Sequence, residues 1–180
     1  MGQLIILTGP STSGKTTIAQ HLPFRPLITT TTRPPRPGEE DGVDYRFLTE
    51  ERYHALQQER QMPESTIYAG VHYGIMKEDL DRVYEEDHVA VLDVRGIIFC
   101  QRYFGKEHVI PLYIGISEPT LIERLQARGS SDEEIALRIA QARQREWSPA
   151  YRAYCEKEFW NEGVPLETTI QAILDYIRQR

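Results

Sequence analysis

Four consecutive apolar positions near the start of the chain, Leu4-Ile5-Ile6-Leu7, form a run too short for a helix and suited to a strand covered on both faces. Two similar runs follow, VAVLDV at residues 89–94 and VIPLYIGI at residues 109–116. Pro111, inside the last run, weakens that strand slightly, because proline brings no N–H to a ladder. Helical segments lie between and after these strands. Residues 15–22 continue as a helix until Pro23 stops it. Thr49 is placed to cap a helix over residues 50–59, with acids in its first turn. Residues 117–128 read as a helix ended by Gly129, and Ser131-Asp132-Glu133-Glu134 is a capping box that opens another, to about Trp147. Ile170, Ile173, Leu174 and Ile177 make one apolar stripe on a C-terminal helix. Residues 29–42, rich in Thr, Pro, Arg and Gly, have no period and read as a loop or a set of turns. Strands alternating with helices predict an α/β fold: a central, mainly parallel sheet with helices on both faces. Residues from about 30 to 85 have a different texture and read as a subdomain inserted into one domain spanning 1–180.

The stretch Gly9-Pro10-Ser11-Thr12-Ser13-Gly14-Lys15-Thr16, directly after the first strand, fits GxxxxGK[ST]. This is the phosphate-binding loop pattern. Backbone N–H groups must converge on phosphate oxygens, so the chain turns tightly and side chains stay clear of it. The helix that follows points its free N–H groups and positive dipole end at the same phosphates. In this pattern Lys15 reaches the β- and γ-phosphates and the Thr16 hydroxyl ligates Mg²⁺. Gly9, Ser11, Thr12, Ser13, Gly14, Lys15, Thr16 and Thr17 are therefore the candidate ATP-binding residues.

Bulk properties narrow the remaining classes. A chain of 180 residues, 40% hydrophobic and 27% charged, suits one soluble domain with a real core. Its net charge of −6 argues against a nucleic-acid surface, so anion sites are sought in local arginine clusters. Cys100 and Cys155 form no close pair and have no metal-like histidine spacing around them, which suits reduced thiols in a cytoplasmic protein. No apolar run approaches the ~18 residues of a membrane span, and the first strand begins too early for a cleavable signal. The expectation is a cytoplasmic protein with no membrane or nucleic-acid partner, a monomer or a homodimer.

Residues 29–47, TTTTRPPRPGEEDGVDYRF, place two arginines three apart among rigid prolines, able to offer two guanidinium forks to one phosphate. This stretch resembles the signature of guanylate kinases, TTRxPRxGExxGxDYxF. Tyr68-Ala69-Gly70-Val71-His72-Tyr73-Gly74 and Arg124-Leu125-Gln126-Ala127-Arg128-Gly129 are similar to the family's second acceptor stretch and its lid sequence. The resemblance covers most of the chain. It implies a P-loop kinase fold with an inserted acceptor-binding subdomain and a helical lid over about residues 122–147. It further implies phosphoryl transfer from ATP, with Mg²⁺, to GMP. Carried over position by position, Thr29, Arg33, Arg36, Tyr45, Glu64 and Tyr73 bind GMP, and Asn161 lies near the adenine of ATP. Lys15, Arg33, Asp93, Arg124, Arg128 and Arg138 serve catalysis, and Thr16 and Asp93 hold the metal. The chemistry of Glu64 is coherent with this: a carboxylate accepts from the adjacent N1–H and N2–H₂ donors of guanine, whereas adenine offers a bare N1 acceptor there.

Three positions depart from the family. Ile75 replaces a serine or threonine that touches the base, and Arg95 stands in the place of a second aspartate near the guanine amino group. Thr12 replaces a glycine of the loop. The first two touch base recognition and leave the phosphate machinery intact. They keep open a kinase of the same fold for another nucleotide or phosphate-bearing acceptor. A non-catalytic protein-binding module is the other alternative, although such modules commonly lose the loop lysine that is present here.

Overall fold

The structure, a computed structural model, describes every residue except Met1 and Ala69. Ala69, part of the stretch from Tyr68 to Gly74, therefore lies outside the described residues. Strand β1 (Leu4–Thr8) is buried at every position, as its unbroken apolar pattern requires. A tight loop leads to α1 (Lys15–His21). Next come β2 (Arg25–Pro26), β3 (Thr30–Thr31), β4 (Arg46–Phe47), α2 (Glu50–Gln58), β5 (Glu64–Tyr68), β6 (Val71–Ile75) and α3 (Lys77–Arg82). Then follow β7 (His88–Val91), α4 (Val94–Phe104), a 3₁₀ turn (Lys106–His108), β8 (Val109–Gly115), α5 (Glu118–Ala127) and α6 (Asp132–Gln141). A π-helical turn (Ala142–Glu146), α7 (Pro149–Arg152), β9 (Lys157–Trp160) and α8 (Leu166–Gln179) complete the chain. The larger sheet has the order β2-β7-β1-β8-β9, with β2 parallel to β7 and β8 parallel to β9. The smaller has the order β4-β3-β6-β5. No helix among the described residues is long and apolar enough to cross a membrane.

The chain divides into two compact units: residues 1–4 with 25–90, and residues 5–24 with 91–180. The four-stranded sheet belongs to the first. There β5 and β6 pair antiparallel, with Glu64 opposite Ile75 and Thr66 opposite Tyr73. Directly opposed residues share a face, so Glu64, Tyr73 and Ile75 project to one side of that sheet. Ser65, His72 and Gly74 belong to the other side, where α2 packs through Tyr53. Thr49 caps α2 as expected, its hydroxyl accepting from Arg52 N at 3.2 Å. Tyr53, Leu56 and Met62 form the apolar core of that side.

In the second unit α5, α6 and the π turn close around Ile116, Leu121, Leu125, Ile135 and Ala142. Ser131 caps α6, its hydroxyl accepting from Glu134 N at 3.2 Å. The α-helix predicted to reach Trp147 stops at Gln141, and Trp147 N donates to Ala142 O, five residues back, at 2.8 Å. The VAVLDV run divides differently from its pattern. β7 ends at Val91 and Val94 opens α4, because the Asp93 carboxylate caps the helix, accepting from Arg95 N (2.9 Å) and Gly96 N (3.2 Å). Residues 29–42, read as a loop, contain the buried β3, whose two threonines pair with β4 on one side and β6 on the other.

Candidate active site

The loop between β1 and α1 is shaped by two glycines in backbone conformations that side chains resist. Gly9 has φ 134°, and a Cβ there would lie 2.3 Å from Ile114 O. Gly14 has φ 89°, and a Cβ there would meet Asn161 Nδ2 at 2.5 Å. Lys15 curls back into the loop: its ammonium donates to Pro10 O at 2.6 Å and to Ser13 Oγ at 3.2 Å. Burial lowers its pKa to about 8; the Glu146 carboxylate pulls it back up and Arg128 pushes it further down. Thr16 and Thr17 are exposed on the first turn of α1, and Ser13 is fully buried. Thr12 has φ 59°, the left-handed region, and its buried hydroxyl has no partner. The position that departs from the family's glycine is thus one where glycine's freedom is needed.

Asn161, at the end of β9, braces this loop. Its amide Nδ2 donates to Ser13 O (2.9 Å), and its Oδ1 accepts from Thr169 Oγ1 (3.2 Å). Arg124 on α5 completes the brace, donating to Thr12 O (3.0 Å) and Asn161 O (2.7 Å). Two residues expected to face ATP therefore hold the loop backbone with their polar groups. Arg138 on α6 contacts Gln141 (3.3 Å) and Glu134 (3.9 Å), and Arg128 is exposed just beyond α5. Asp93, beyond capping α4, faces the Arg145 guanidinium at 3.4 Å.

Three partners in this unit were missed in the sequence. Arg145 and Glu146 lie in the π turn, where a helical reading places them on the wrong face. Burial raises the Glu146 pKa above the ordinary carboxylate range, and one of its oxygens is buried without a partner. Tyr151 on α7 shares a buried hydrogen bond with Thr8 Oγ1 at 2.7 Å. Nothing local in the sequence signals that contact across 143 positions.

In the other unit, Arg33 grips Glu39 in a bidentate pair, NH1 to Oε2 at 2.7 Å and NH2 to Oε1 at 2.8 Å. Arg36 N donates to the same carboxylate at 2.7 Å. This pairing raises the Arg33 pKa and lowers that of Glu39. The Arg33 guanidinium lies 5.2 Å from the Tyr45 ring centre and 5.6 Å from that of Phe47. Tyr45 and Tyr73 meet edge to face, centroids 6.2 Å apart. Thr31 positions the start of this loop: its hydroxyl accepts from Arg33 N (3.2 Å) and donates to His72 O (3.1 Å). Arg36 is exposed, and Thr29 is half-buried, its carbonyl accepting from Arg46 N at 2.9 Å. Glu64 is buried, 8% exposed, beside the fully buried Ile75. Arg46 forks onto the buried Asp79 at 2.9 and 3.1 Å, a support that the sequence reading did not single out. Arg95 is exposed on the first turn of α4, in the other unit.

The chain is similar to known proteins along most of its length. A sequence profile described as guanylate kinase matches residues 1–179. The guanylate kinase of Synechocystis is 38% identical over 151 residues, covering 79% of this chain and 78% of its own. That of Thermosynechococcus vestitus is 36% identical over 150 residues, covering 78% of each. The crystal structure of guanylate kinase from Anaplasma phagocytophilum superposes with a TM-score of 0.68 at 23% identity, over 99% of this chain and 85% of that one. A shikimate kinase from Bacteroides thetaiotaomicron matches less well, TM-score 0.50 at 18% identity over 98% of both, a likeness of fold. With a phosphate loop, a paired arginine–tyrosine cluster and a match along nearly its whole length, this chain belongs to the guanylate kinase family.

Proposed function

We propose that this protein transfers the γ-phosphoryl group of ATP to GMP, giving ADP and GDP. The observation that carries the choice of base is the burial of the Glu64 carboxylate. At 8% exposure the carboxylate reads a base by hydrogen bonding rather than through water. Guanine offers N1–H and N2–H₂ side by side to such a group, and adenine leaves it facing a lone pair. Ile75 lies directly opposite Glu64 on the same sheet face. It cannot hydrogen-bond the base, so discrimination there rests on the carboxylate.

The ATP phosphates are assigned to the loop from Gly9 to Thr17, with Lys15 moving from Pro10 O to the phosphate oxygens when they arrive. Asn161 and Arg124 hold the loop backbone in its binding shape, and Arg128 and Arg138 supply further cations from the helical segment over residues 122–147. The acceptor phosphate is assigned to Arg36, Tyr45 and Tyr73, with Arg33 oriented by Glu39. Thr29 is assigned to the guanine carbonyl. Phosphoryl transfer of this kind is positioning and charge neutralisation, with little covalent work for the protein. The donor set of a Thr16 hydroxyl and an Asp93 carboxylate, 33% exposed, suits a hard divalent cation. Mg²⁺ held there supplies charge neutralisation on the β- and γ-phosphates.

A second reading, a different nucleoside monophosphate, is favoured by Ile75, which removes one hydrogen-bonding group from the base side. One assay decides between them: ADP formation from ATP-Mg²⁺ with GMP, dGMP, IMP, AMP, CMP and UMP offered separately. Preference for GMP supports the proposal. Turnover led by another base transfers it to the second reading, and no turnover with any of them by folded, ATP-binding protein rejects both.

A further inference from the structure

On the face of the small sheet turned away from Glu64 and Tyr73, three groups with metal-binding chemistry converge. Glu50 and His54 are one helical turn apart on α2, and His72 comes from β6. Their ligating atoms all lie within 4.8 Å of one another. Glu50 Oε2 stands 3.3 Å from His72 Nε2 and 3.7 Å from His54 Nε2. Ligands at zinc's usual bond lengths of about 2.1 Å in a tetrahedral site are about 3.4 Å apart. Two of the three edges are thus near that spacing already. We propose that Glu50, His54 and His72 form a binding site for Zn²⁺, with water in the fourth position.

The hydrogen bonds behind His54 fix the form a ligand needs. Tyr53 OH donates to Tyr73 O at 2.8 Å, so its oxygen accepts the proton of Ser65 Oγ, also at 2.8 Å. Ser65 Oγ, its proton so used, accepts from Gln57 Nε2 at 2.8 Å. That sets the orientation of the Gln57 amide. Its Oε1 is then the atom 3.1 Å from His54 Nδ1, and must accept a proton from it. In the neutral ring the proton sits on Nδ1, and the Nε2 lone pair points toward Glu50. An imidazole held by its distal N–H is the usual outer support of a metal-binding histidine. His72 presents Nε2 to Glu50 at 3.3 Å; ligation there places the ring proton on Nδ1, which is buried without a partner, so His72 is the weaker of the two imidazole ligands. The Glu50 side chain is 57% exposed and that of His54 50%, so an ion has a path in and water a path to the fourth position. Two imidazoles with one carboxylate suit zinc over the hard cation that accompanies ATP. The ion would tie α2 to β6 one residue from Tyr73.

The test uses full-length protein without an affinity tag and ZnCl₂ as the probe, followed by calorimetry and thermal unfolding. The expected result is saturable binding of one equivalent, with a rise in Tm that MgCl₂ does not reproduce. His54→Gln and His72→Gln, chosen to preserve polarity and fold, each weaken binding at least tenfold. Gln57→Ala, which contacts no metal, weakens it about tenfold by freeing the His54 ring. Cys155→Ser leaves it unchanged. No saturable binding by the folded wild type, or an affinity in either histidine variant equal to that of the wild type, overturns the proposal.

Discussion

The Asn161 side-chain amide donates to the Ser13 carbonyl at 2.9 Å, and it occupies the space a Cβ on Gly14 would need. The end of β9 therefore sets the shape of a loop 148 positions earlier in the chain. Removing the amide leaves the buried Ser13 carbonyl and Thr169 hydroxyl without this partner. Asn161→Ala is expected to cost about 2–3 kcal/mol, a fall in Tm of roughly 5–10 °C for a chain of this size. Asn161→Asp keeps the volume and loses the donation, so it should raise KM for ATP more than KM for GMP. A calorimetric scan and separate titrations of the two nucleotides check both expectations.

Thr12 stands at φ 59° with its hydroxyl buried and unpartnered. A β-branched residue in this region is strained by about 1–2 kcal/mol, and the orphaned hydroxyl adds a desolvation cost. Glycine removes both and loses up to about 1 kcal/mol through the entropy of the unfolded chain. Thr12→Gly is therefore expected to stabilise the protein by about 1 kcal/mol, read as an increase in denaturation midpoint at unchanged m-value. A loss of stability would mean that the Thr12 hydroxyl has a partner in solution.

Lys15 titrates near pH 8 in this fold because burial disfavours its charge. Its pKa is 10.5 when unperturbed, so between about 8 and 10.5 the unfolded chain binds more protons at this site than the folded one. Stability attributable to Lys15 consequently rises with pH across that window. The gap in Tm between Lys15→Met and wild type should narrow as pH increases through it. Function moves the opposite way. Phosphate binding needs the ammonium, so kcat/KM for ATP should fall above about pH 8. The same limb should move to higher pH in kcat, because bound phosphates favour the charged form. A flat profile across this range would place the Lys15 pKa elsewhere.

The strands β1 and β8, the caps at Thr49 and Ser131 and the phosphate loop were legible because each is written in neighbouring residues. Apolar runs, a hydroxyl three positions before a free N–H, and glycines at turns need no distant partner to be recognised. The two-residue strands β2, β3 and β4 were not, since a strand that short is defined by what it pairs with. Asp93 shows the limit within one motif: its pattern extends a strand, but its carboxylate caps a helix and ends that strand two residues earlier. The π turn at Ala142–Glu146 carries the same lesson, because one extra residue per turn moves Arg145 and Glu146 off their helical positions. At the candidate site the sequence named the arginines but not what holds them. Glu39 on Arg33 and the loop carbonyls on Arg124 are contacts that only the folded chain specifies.

Glu64 gives the sharpest test of base choice. Its carboxylate is buried and can only accept hydrogen bonds. Glu64→Gln keeps the shape but turns one acceptor into a donor. That donor opposes the N2–H₂ group of guanine and matches the N1 acceptor of adenine. The ratio of kcat/KM for GMP to that for AMP is expected to fall at least tenfold, most of it through GMP. A site built on hydrogen bonds discriminates by about 10⁴ or more, so the ratio has room to drop. Ile75→Ser makes the complementary change, adding a hydroxyl beside the base without touching the carboxylate. It should leave the ratio high and lower KM for GMP. An unchanged ratio in Glu64→Gln, with the fold intact, would move base recognition away from this residue.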